Sequence, residues 1–115
     1  MSPVWKYLHL AGEVGQKRDD DLRQYAIGAV AIRPDGVIVS SRNQAARKIS
    51  PTAHAEYRVL RKAGTGSVVY VCRVRGDGSY ALARPCPRCE AALRTRRVTR
   101  CHYSIDNSSF GTIEF

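Results

Sequence analysis

What this 115-residue chain lacks narrows its class before any motif is considered. No apolar run approaches the roughly 20 residues that a membrane-spanning helix needs. The N-terminal stretch MSPVWKYLHLAGEVGQ has neither the basic leading region nor the unbroken apolar core of a secretory signal. Internal repeats, low-complexity tracts and linkers are missing too. One domain over residues 1–115 is therefore expected, with room for a core and little accessory structure. Hydrophobic residues make up 43% and charged residues 25%, the balance of a folded globule rather than a disordered tail. With only four cysteines and no export signal, a cytoplasmic protein is expected, its thiols reduced or metal-bound rather than paired in disulfides.

Acidic side chains are also scarce, 10 against 19 Lys and Arg, for a net charge of +9. The imbalance is uneven. Arg84, Arg88, Arg94, Arg96, Arg97 and Arg100 face a single acid, Glu90, in the second half. Such a stretch suits an anionic substrate, a nucleotide phosphate or a strand of nucleic acid. The plainer alternative is a solvated basic face that aids solubility.

Val4 to about Arg18 has helical spacing of apolar residues, with Trp5 as an anchor between helix and sheet. QKRDDDLRQ then reads as a loop. YAIGAVAIR suits a buried strand, PDG a turn and VIVSSRN its hairpin partner. A helix beginning near Pro51 runs through HAEYRVLRKA to a stop at Gly64, with Tyr57, Leu60 and Ala63 toward the sheet. SVVYVCRVR is the strongest strand pattern, followed by the Gly76-Asp77-Gly78 turn and a short extended piece, SYALAR. A helix through CEAALRTR, a strand in RVTRCHYSID and a short final strand in TIEF complete the order. The expectation is a three-layer α/β/α domain with a mixed sheet of about five strands flanked by helices. Cys72 and Cys101 fall inside strands and read as small core residues.

Two short strings carry the chemistry: His54-Ala55-Glu56 and Pro85-Cys86-Pro87-Arg88-Cys89. One His and two Cys are enough to hold a tetrahedral zinc and leave its fourth position open, which is a catalytic rather than a structural arrangement. Glu56 lies on the first turn of the same expected helix as His54, placed to move protons. Both strings sit where strand or loop passes into helix, so orphan N–H groups and the positive ends of two helix dipoles point at one centre. A CxxC alone is shared by redox motifs and zinc ribbons. The HxE and the PCxxC together are far more specific.

HAE followed by PCxxC resembles the signature of the zinc-dependent nucleobase deaminases, the cytidine deaminase-like superfamily. The resemblance extends over nearly the whole chain through the order of elements. It implies hydrolytic deamination, with His54, Cys86 and Cys89 holding zinc and Glu56 shuttling protons. It also implies substrate contacts by Asn43, by the N–H of Ala55 and by the carbonyl of Arg84. Tyr103, in the stretch YSID, is similar in position to a base-contacting tyrosine of polynucleotide cytidine deaminases.

Departures bear on the substrate. PTAHAE with the following RKAG is similar to tRNA adenosine deaminases. The stretch after Cys89, however, has room for a tight hairpin and not for a further helix with a parallel strand. That favours the antiparallel sheet ending of the free-nucleoside type, although those enzymes usually carry Cys where His54 stands. The expected substrate is cytosine in a nucleotide or single-stranded DNA, with adenine in tRNA as the alternative. Homodimers or homotetramers are common in the superfamily. The non-enzymatic alternative is a small zinc-stabilised, basic nucleic-acid-binding module, with His102 or Cys101 as a fourth ligand.

Overall fold

A computed structural model of the chain describes residues 3–16, 26–43 and 55–115, with the side chain of Tyr57 outside that set. Among the described residues nine elements follow in order. They are α1 (Pro3–Gln16), β1 (Ala26–Ile32), β2 (Ile38–Arg42), α2 (Ala55–Ala63), β3 (Val68–Val74), β4 (Tyr80–Ala81), α3 (Pro87–Thr95), β5 (Arg100–Ser104) and β6 (Phe110–Glu114). The loop expected in QKRDDDLRQ and the helix start near Pro51 lie outside the described residues.

The strands form one mixed sheet in the order β2-β1-β3-β5-β6. β1 is antiparallel to both β2 and β3, β3 is parallel to β5, and β6 returns antiparallel to β5. The sixth strand, β4, makes one more than the five expected. It pairs Tyr80 and Ala81 with Val74 and Arg73, beyond the point where the β3–β5 register ends at Val71 and Tyr103. The buried Ser104 hydroxyl closes this fork, accepting from the Arg73 N–H at 3.2 Å and donating to the Ala81 carbonyl at 2.8 Å.

Period-two alternation sorts the side chains onto two faces. Ala29, Ala31, Val69, Val71, Cys101 and Tyr103 pack under α2 and α3, together with Val59, Leu60, Ala63 and Leu93 from those helices. Val30, Tyr70, Cys72 and Val74 pack under α1 with Leu8 and Ala11. This is the expected three-layer arrangement, with Cys72 and Cys101 fully buried as anticipated. Trp5 meets Phe110 of β6 edge-on at 5.7 Å, as an anchor between helix and sheet should.

Helix α2 stops at Gly64, whose φ of +74° suits a residue without a Cβ. Helix α3 stops by the same device with a different residue. The Arg97 N–H donates to Arg94 O and the Val98 N–H to Leu93 O, the two bonds of a Schellman ending. Arg97 therefore stands at the glycine position with φ +57°, a conformation that costs a residue with a Cβ about 1–2 kcal/mol. This closure also explains why β5 begins at Arg100 rather than at the expected Arg97. Val98 finishes the helix, and the Thr99 N–H bonds Ser67 O.

Helix α1 lies backbone-to-backbone on β1. A Cβ placed on Gly28 would fall 1.8 Å from Ala11 O and 2.6 Å from Gly15 N, both of them backbone atoms that cannot swing away. Replacing Gly28 with Ala should destabilise the fold by about 3 kcal/mol, read as an early urea midpoint. An unchanged midpoint would contradict this helix-to-sheet contact.

Candidate active site

The sheet topology decides where the motif residues meet. β2, β3 and β5 run in one direction, and α2 and α3 are the crossovers between them. Each helix therefore starts at the carboxyl edge of these strands, the edge where open α/β sheets bind ligands. Asn43 follows β2 at that edge. Ala55 and Glu56 open α2, and Cys86 and Cys89 open α3.

Cys86 is the N-cap of α3, with extended backbone and Pro87 at the first helical position. Its Sγ accepts the Cys89 N–H at 3.5 Å. An N-cap sulfur and a second sulfur one helical turn later lie on the same face, beside the positive end of the helix. Cys89 is fully buried and Cys86 half-buried. Glu56 is only 4% exposed, on the first turn of α2, where a carboxylate is favoured by the same dipole.

These features suit a zinc site: two sulfur donors with helical spacing, at the electropositive end of a helix, on the same sheet edge as a buried carboxylate. Among the described residues no three His, Cys, Asp or Glu cluster tightly enough to hold a metal. The third expected ligand, His54, lies outside the described residues. It directly precedes Ala55, the fully buried first residue of α2.

The other expected site residues are placed as follows. The Asn43 amide oxygen accepts the Ile27 N–H at 2.9 Å, while the Asn43 N–H donates to Ile27 O at 3.0 Å. Asn43 thus extends the β1–β2 ladder by one rung, and its side chain is held in a fixed position at the carboxyl edge. Arg84 sits in the loop between β4 and α3. It donates to the Tyr103 hydroxyl at 3.2 Å and forms an ion pair with Glu90 at 3.5 Å. Its guanidinium lies 5.8 Å from the centre of the Tyr103 ring. The structure thereby joins Arg84 to Tyr103, two residues that sequence reasoning reached separately. Glu90 was noticed in the sequence only as the one acid among six arginines, and that rarity is the signal of its tethering role. Arg58 and Lys62, which donate to Arg42 O and Ser40 O, were not singled out. They fasten α2 to the edge strand.

Burial holds the Cys101 thiol protonated well above its usual range, and the carboxylates of Glu56 and Glu90 push it further the same way. Cys101 is fully buried in the apolar core under α2 and α3, as a small core residue. His102 fails as the fourth ligand for a geometric reason. It alternates to the opposite face of the sheet, stacked on Tyr70 at 5.1 Å and bonded through Nδ1 to the Thr112 hydroxyl at 2.8 Å. The closed zinc module envisaged from the sequence thereby loses His102 as its fourth ligand.

Residues 1–105 match the family described as the cytidine and deoxycytidylate deaminase zinc-binding region, and the chain belongs to that family. It is 33% identical over 88 residues to a tRNA-specific adenosine deaminase of Agrobacterium fabrum (strain C58), covering 76% of this chain and 57% of that protein. It is 29% identical over 87 residues to a guanine deaminase of Bacillus subtilis (strain 168), covering 70% and 51%. The chain thus spans about half the length of these relatives. In fold it is similar to a cytidine deaminase from Burkholderia pseudomallei, with TM-score 0.70, 12% identity, and 99% and 93% of the two chains covered. A cytidine deaminase from Mycobacterium tuberculosis gives 0.61 at 20% identity, covering 90% and 85%.

Two outcomes test this description. Burial pushes the Cys72 thiol up to about 11, so Cys72 and Cys101 should both resist alkylation at neutral pH. Chelation should open Cys86 to the reagent, and equal labelling of Cys72 would contradict the assignment. Burial, then the nearby Arg100, lowers the His102 pKa below 6.5, against a smaller opposing pull from Glu114. The unfolded chain therefore takes up a proton that the native state refuses, and His102 costs stability as the pH falls below about 6.5. Replacing His102 with Gln should flatten the fall in Tm between pH 7.5 and 5; an unaltered slope would rule it out.

Proposed function

We propose that the protein is a hydrolytic deaminase that converts cytosine to uracil in a nucleotide or single-stranded DNA. The observation that carries the chemistry is the buried carboxylate of Glu56 at the start of α2, on the sheet edge where Cys86 and Cys89 open α3. His54, Cys86 and Cys89 would hold the zinc. When bound, zinc supplies the acidity that makes water nucleophilic at neutral pH.

The chain's own residues do the rest. Glu56 accepts the proton of the attacking water, donates it to the ring nitrogen and then assists the departing ammonia. Its burial keeps bulk water from competing for that proton. The Ala55 N–H and the Arg84 carbonyl are proposed to hold the base edge. Asn43, whose amide oxygen is already engaged by Ile27, is assigned donor contacts to the sugar or base. Tyr103, tethered by Arg84, would form a wall of the pocket. Cytoplasmic location, matching the reduced core thiols, and assembly as a homodimer or homotetramer belong to the same proposal.

Cytosine is supported by the antiparallel return of β6 on β5. Adenine in tRNA is the second reading, favoured by the 33% identity to a tRNA-specific adenosine deaminase. The deciding experiment offers cytidine, dCMP, dCTP, single-stranded DNA and a tRNA anticodon arm to the purified protein and follows ammonia release and base change. Conversion of cytosine alone supports the first reading; inosine in the anticodon arm overturns it in favour of the second. Glu56→Gln should lower turnover by about 10²- to 10⁴-fold with zinc content unchanged. Retained turnover would remove Glu56 from the mechanism.

A further inference from the structure

A groove of about 170 Å³ lies between α2 and α3, lined by Leu60, Arg61, Ala92, Thr95 and Arg96. It is too small for a whole nucleoside, since pockets for such ligands run to roughly 300 Å³ or more. A phosphate group is a better match in size and charge. Arg88, Ala92 and Arg96 are spaced by four and share one face of α3. This row starts inside the CxxC string and ends at the groove, about 12 Å along the helix at 1.5 Å per residue. Arg61, Arg88, Arg96 and Arg97 are all exposed. Among the described residues, the one acidic side chain of α3, Glu90, is paired with Arg84 instead.

Arg97 supplies the second, independent observation. It occupies the glycine position of the α3 ending at φ +57°, where Gly64 does the same task for α2 without strain. Keeping a long cationic side chain where the backbone prefers none costs the fold and adds nothing to the cap, whose two hydrogen bonds are made by backbone atoms.

We infer that the α2–α3 groove, edged by Arg61 and Arg96 and followed in the chain by the exposed Arg97, is a phosphodiester track for single-stranded nucleic acid leaving the catalytic edge. It deepens the proposed function by favouring a polymeric substrate over a mononucleotide, and relies on that reading only for the base at the catalytic edge. Each arginine neutralises one phosphate and releases condensed counterions.

The test is fluorescence anisotropy with a labelled all-thymine single-stranded oligonucleotide, which contains no base for a cytosine or adenine deaminase to convert. Replacing Arg61 and Arg96 together with Gln should weaken binding about tenfold or more. The slope of log affinity against log salt should become shallower by about 1.4, at roughly 0.7 per lost phosphate contact. Arg97→Gly should raise Tm while weakening binding, a combination that a merely structural residue does not produce. Arg33→Gln, on the β1–β2 turn and paired with Asp35, should change neither. Unchanged affinity and salt slope in the Arg61/Arg96 variant, or unchanged affinity in Arg97→Gly, would reduce the cluster to a solvated face and overturn the inference. If the groove variants behave as expected while no base is turned over, the deaminase reading fails and the track stands.

Discussion

The constraint on which the rest depends is the shared direction of β2, β3 and β5. Two helices that each carry the chain from one of these strands to the next must begin at the same edge of the sheet. Their first turns then bring orphan N–H groups and positive dipole ends to a single zone. A pair of cysteines at the start of one helix and a buried carboxylate at the start of the other therefore share one edge of the sheet.

The opposite face of the sheet carries α1, which keeps the sheet in place. α1 sits on β1 through Ala11, Gly15 and Gly28 at a separation that excludes a methyl group. His102, Tyr70 and Phe110 form the aromatic part of that layer, with Trp5 closing it from α1. The catalytic face has a different economy. Its core is made of small residues such as Ala29, Ala31, Ala55 and Ala63, which let α2 and α3 lie close to the strands. Glu56 is buried among them, and at the rim Arg84, Tyr103 and Glu90 hold one another.

Most of the architecture was legible in the sequence because its strands are nearly continuous apolar runs and its helices carry clear stops. Gly64 marked the end of α2, and PDG and GDG marked the turns. β4 was read as no more than an extended piece. Its two residues carry no period of their own and owe their pairing to Ser104, a partner distant in sequence. The start of β5 falls later than expected, because RVT reads as strand while Arg97 in fact takes a left-handed conformation that nothing in the residue type announces. The site was legible as far as HAE and PCxxC, since metal chemistry demands particular side chains at particular spacings. The tether from Arg84 to Tyr103 and Glu90 was not. It depends on the β5–β6 hairpin coming beside the loop before α3, which local pattern does not encode. The opposite faces of Cys101 and His102 follow from strand alternation, and β5 turns His102 away from the face that carries α2 and α3.

The central claim is that water, activated at the start of α2 and α3, replaces the exocyclic amine of a nucleobase. It is tested most directly by turnover in isotope-labelled water, followed by mass spectrometry of the base and assay of ammonia. The account predicts one labelled oxygen in each converted base and one ammonia released for each. Base conversion without label, or label without ammonia, would contradict it.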